Sequence, residues 1–242
     1  MDHMDGIKRL FETFSVINFW DTDNKKKIDN NQFSESQYKQ NDWNFYQSKR
    51  NSDEKPKSLK LYQRHTGDFW TKDGLNIISP TKELIKNIQS NKEPNWNEVS
   101  YVILHEVFRR KILYCGDSGN LAWEEIMKND EIAQDLENID ILFAPHHGRK
   151  TGGDDKNTYI DTISPKLVIF GNTDSSKHKN YAPFNNRQIP ILTNNEAGDI
   201  IITIKENSEI NIQITNNDWE SLIASKNTTW KTKLADCKIV LI

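Results

Sequence analysis

A chain of 242 residues with 35% hydrophobic and 28% charged side chains can bury a sizeable core, which excludes a fibrous or wholly disordered protein. Its formal net charge of −3 excludes a global basic footprint for nucleic acid, although a bound cation can supply positive charge locally. Two cysteines make no disulfide framework, no charged-then-apolar leader opens the chain, and no apolar run approaches the ~20 residues that span a bilayer. The expectation is a soluble, cytoplasmic protein with no membrane partner.

In chain order, Ile7, Leu10, Phe11 and Phe14 recur at helical spacing within residues 4–15, and Val16–Trp20 reads as a short strand. Residues 21–58 are polar, with Phe33, Tyr38, Trp43, Phe45 and Tyr46 embedded, and suggest a packed surface helix in an insertion. The charge run 49–57 (KRNSDEKPK) reads as a solvated loop. Strands are expected at 75–79, 99–104, 111–115, 139–144, 167–171, 189–193 and 199–204, with helices at 81–89 and 120–128. The pair 99–104 and 111–115 reads as a hairpin with His105 at its exposed tip. From Trp219 the tail reads as helix and then as a final KIVLI strand. Strands mixed with helices predict an α/β (α+β) sandwich. The expected organisation is one domain over 1–215 with a polar insertion near 21–72, and an extension over 216–242 that packs on it.

Chemistry-bearing residues concentrate at strand ends, where a rigid scaffold presents loops. Asp117 follows the apolar run KILYC and Gly116. His146 and His147 follow ILFAP and precede Gly148. Asp2 and His3 precede the first helix. Aspartate and imidazole suit a zinc, iron or manganese site, in which two bridged cations lie roughly 3.5–4 Å apart. Taken singly, Gly-Asp is more often a turn and His-His more often a polar loop element than a ligand set. Cys115 reads as a small buried hydrophobe and His65 as an exposed side chain.

Three segments in order resemble the metallo-β-lactamase fold family. DHMDGIKRL is similar to the end of the motif H-x-H-x-D-H with its following helix, VSYVILHEVFRRKILYCGD to the hairpin ending in Gly-Asp, and IDILFAPHHGRKTGG to the HHG segment. SPKLVIFGN, HKNYAP and LTNNEAGDIIITI resemble the last strands of one subgroup, the hydrolase domain of DNA-uptake competence proteins and its soluble relatives. The resemblance implies an αββα sandwich and a metal-dependent hydrolase, most simply a phosphodiesterase acting on a nucleic acid or nucleotide. The alternatives are an inactive interaction module on the same fold and an acyl hydrolase for thioesters, lactones or lactams.

Carried over by residue, the resemblance implies metal ligation by Asp2, His3, Asp117 and one of His146 and His147, with Asp117 bridging two ions. The family holds two zinc ions, manganese being possible; one or none is expected on these residues. Asp2, His147 and His178 are the catalytic candidates, and Arg149, Lys150, Thr151 and Tyr181 the candidates for holding substrate. Asn97 stands where other branches place a first-metal histidine. The two leading histidines of the motif have no counterpart before Asp2. The expectations are therefore an internal methionine as recorded start, a remnant, or missing strands supplied by self-association or a partner chain.

Overall fold

The computed structural model describes residues 4–29, 31–34, 39–153, 156–171, 178–216 and 237–241. In chain order the elements are α1 (Ile7–Thr13), β1 (Asn18–Asp21), α2 (Asn31–Ser34), α3 (Gln40–Arg50), β2 (Lys57–Lys60), β3 (Leu75–Ser79), α4 (Lys82–Ser90), β4 (Val102–Val107), β5 (Arg110–Tyr114), α5 (Asn120–Met127) and α6 (Asp130–Asp135). There follow β6 (Ile141–Phe143), α7 (Tyr159–Ile163), β7 (Leu167–Phe170), α8 (Ala182–Asn185), β8 (Ile191–Thr193), α9 (Asn194–Ala197), β9 (Ile200–Ile204), β10 (Ile210–Ile214) and β11 (Cys237–Leu241).

The chain is a mixed α/β protein built on a six-stranded sheet in sequential order β3-β4-β5-β6-β7-β8. β3, β4 and β5 pair antiparallel, and β5 through β8 run parallel. The parallel connections carry helices, as they must to return the chain to the same end of the sheet. Side chains alternate between the two faces. Leu113, Leu142, Val168 and Phe170 join a core with Trp123, Ile126, Ile132, Ile160 and Phe184 from the helices. Ile112, Ile141, Leu167, Ile169 and Leu192 point the other way and meet Ile210, Ile212 and Ile214 of β10. Hence helices cover one face, and a second sheet, ordered β11-β10-β9, covers the other.

Three sequence expectations need correction. First, β10 lies where no element was expected, although Ile210-Asn211-Ile212-Gln213-Ile214 alternates strictly, with every isoleucine buried. The tail contributes β11 to that sheet in parallel register with β10; the helix expected from Trp219 lies outside the described residues. Second, His105 is not at the hairpin tip. It sits within β4 opposite Ile112, half-buried and stacked on Tyr114, and Phe108 and Arg109 make the turn. Third, the run 49–57 is a solvated loop only in its middle: residues 51–56 form no regular element and are mostly exposed, but Lys49 and Arg50 end α3 and Lys57 starts β2. Arg50 is 5% exposed, and its guanidinium donates to both carboxylate oxygens of Asp21 at 3.1 and 2.9 Å. His65 is exposed and Cys115 fully buried, as their contexts suggest. No helix among the described residues is long and apolar enough to cross a membrane.

Candidate metal centre

β5 and β6 are parallel neighbours, with Tyr114 opposite Phe143, so the loops leaving their C-terminal ends lie side by side. Open parallel sheets place ligand sites at this edge. One loop carries Gly116 and Asp117, the other Pro145, His146, His147 and Gly148. The His146 amide donates to the Gly116 carbonyl at 2.9 Å and ties the two loops together.

The histidine loop is held in an uncommon backbone conformation. His146 and His147 have φ of 49° and 56°, and Gly148 has φ of 75°. Left-handed conformation in two consecutive non-glycine residues costs of order 1–3 kcal/mol each and persists only where the surroundings enforce it. Gly148 is required for a second reason: a Cβ there would lie 2.3 Å from the Phe170 ring. That ring stacks on Tyr181, with centroids 5.1 Å apart and planes 8° from parallel, and so supports the loop from beneath. Burial pushes the Tyr181 phenol pKa up.

The strained turn delivers His147 Nε2 to 3.3 Å from Asp117 Oδ1. A charge-assisted hydrogen bond is shorter, typically ~2.7–2.9 Å. Two donors each ~2.1 Å from one tetrahedral ion stand about 3.4 Å apart, so this spacing fits a pair of metal ligands. On the other side of the ring, a Cβ at Gly171 would lie 2.8 Å from Nδ1, so glycine there makes room for the imidazole.

His146 is placed differently. Its Nδ1 shares a 2.8 Å hydrogen bond with Thr151 Oγ1, and its Nε2 lies 3.5 Å from the Asn97 side-chain amide nitrogen. The tautomer that donates from Nδ1 to Thr151 leaves the Nε2 lone pair facing that amide. Thr151, expected at the substrate, is thus a partner of His146. Lys150 is exposed, and Arg149 forms an isolated backbone bridge to Lys179. His178 is exposed, one residue before that bridge. Asp2 and His3 lie outside the described residues. Among the described residues no group of three or more His, Cys, Asp and Glu side chains forms a metal cluster.

Sequence reasoning missed Glu98. This carboxylate is 5% exposed, accepts from the Ala122 amide at 3.1 Å and from the Asn95 side chain at 3.2 Å. It therefore joins the turn that carries Asn97 to the N-terminus of α5, which begins three residues after Asp117. Burial raises its pKa against the opposing pull of those hydrogen bonds. The available signal was weak: a glutamate just before a strand, 24 residues from its helical partner.

A scan against protein-family models and a search of the curated proteins find no match for this chain.

Proposed function

We propose that this chain is a metal-dependent hydrolase of the metallo-β-lactamase fold, cleaving phosphodiesters of nucleic-acid or nucleotide type. The observation that carries the proposal is the 3.3 Å approach of His147 Nε2 and Asp117 Oδ1 at the ends of two adjacent parallel strands. The layering of helices, six-stranded sheet and second sheet supports the fold half of the reading, and the sequence resemblance supplies the rest.

In this reading Asp117 and His147 hold a divalent ion, zinc or manganese, joined by Asp2 and His3 by resemblance. A bound ion of this kind acidifies water and polarises a phosphoryl oxygen. His146, fixed by Thr151 and facing Asn97, orients the other ligands or a substrate oxygen. The exposed cation of Lys150 and the half-buried one of Arg149 attract an anionic substrate. His178 is the candidate, by resemblance, to protonate the leaving group.

The test is hydrolysis of bis-p-nitrophenyl phosphate by protein loaded with zinc or manganese. Turnover that disappears with a chelator and returns with the metal is the expected result. Turnover of a thioester or lactone substrate without phosphodiester cleavage would contradict the reaction class. Metal binding without any turnover would contradict the enzyme reading and favour an interaction module.

A further inference from the structure

A cleft of about 490 Å³ opens beside Asp117, within the size range of small-ligand sites. Its walls come from segments remote in sequence: α1, the stretch from β1 into α3, and the turn at 96–101. The polar insertion is therefore part of the wall. Five half-buried aromatic residues, Phe19, Trp20, Tyr46, Trp96 and Tyr101, line it. Trp20 meets Tyr101 nearly edge-on, at 68° and 6.0 Å. Among the described residues no ring stacks on Trp96, which packs beside the aliphatic cluster of Leu84 and Ile88.

The polar part of the lining combines charged groups, from Asp21, Lys26 and Asp117, with neutral ones. Thr22, Asn24 and Asn97 bring hydroxyl and amide groups, which both donate and accept. Flat rings interleaved with two-way hydrogen-bonding groups match a heterocyclic base, whose faces stack and whose edge carries donors and acceptors. A compact saccharide would stack too, but it presents no extended π-face to several rings at once. The geometry points to a nucleobase subsite: the cleft takes the base adjoining the phosphodiester to be cut, with Trp96 as a stacking partner. This inference deepens the phosphodiesterase reading and rests on it for the phosphate's position at Asp117.

The test uses adenosine, which is neutral and so is not repelled by a metal-free Asp117. Titrated into chelator-treated protein, adenosine should quench tryptophan fluorescence to saturation, and ribose should not compete. Trp96→Leu should weaken adenosine by about tenfold or more, while Trp96→Phe, which keeps a ring, stays within a few-fold of the wild type. Far-UV circular dichroism checks that each variant is folded. Independently of any variant, adenosine should shift the indole resonances of Trp96 and Trp20 upfield in the wild type. Unmoved resonances, equal competition by ribose, or a folded Trp96→Leu that binds like the wild type would each overturn the subsite. Failure here with bis-p-nitrophenyl phosphate still hydrolysed removes only the base subsite. Adenosine binding without metal-dependent hydrolysis removes only the catalytic reading.

Discussion

Asp117→Ala is expected to weaken zinc binding by at least about 100-fold, more than is typical for loss of a residue that merely supports a ligand. The substitution removes one of the two proposed donors that stand 3.3 Å apart and leaves His147 as the remaining one of that pair. Folding should change little. The Asp117 side chain is 13% exposed on a loop, and no residue of the two sheet cores depends on it for packing. A loss of about 1 kcal/mol is expected, as for a single hydrogen-bonded contact. Calorimetric zinc titration and urea denaturation of the same variant separate the two effects. Undiminished zinc affinity would remove Asp117 from the centre, and a large loss of stability would recast it as a structural residue.

Asp21→Ala should have the opposite signature: a loss of about 3–5 kcal/mol in stability, the cost of stranding buried charge. Arg50 and Asp21 have side-chain exposures of only 6% and 2%. The carboxylate receives the Arg50 fork and the Lys60 ammonium together, and those cations also donate to the carbonyls of Asn24 and Arg50 at 2.6 and 2.7 Å. Deleting the anion leaves the guanidinium buried beside a second positive charge. Since folded domains are stable by only ~5–15 kcal/mol, the urea midpoint should fall sharply. Asp21→Asn, which keeps one acceptor oxygen, should lose less. A midpoint unchanged in Asp21→Ala would show that the insertion docks without this network.

The contrast between these two aspartates indicates what a sequence discloses. Asp117 was legible because its signal is local: an apolar run, a glycine and an acid, in fixed order with a later His-His-Gly. The parallel strands were legible for the same reason, since Leu167-Val168-Ile169-Phe170 is buried on both faces and reads as an unbroken apolar run. Asp21 and Arg50 were opaque because their meaning lies in each other, 29 residues apart, and an unpartnered charge run looks solvated. Asn97 and Thr151 were opaque likewise. Each acquires a role only when two loops meet at His146. Which imidazole faces Asp117 was not decidable from His146-His147 as letters. It follows from two consecutive left-handed residues, a conformation that composition does not announce.

The central claim is that Asp117 and His147 form a metal-ligand pair. Anomalous diffraction at the zinc edge from zinc-loaded crystals tests it most directly. The account predicts a peak bonded to both Asp117 Oδ1 and His147 Nε2, at ~2.0–2.2 Å from each. A zinc-loaded crystal with its peak elsewhere, and with the Asp117–His147 contact closed to a direct hydrogen bond, would contradict it.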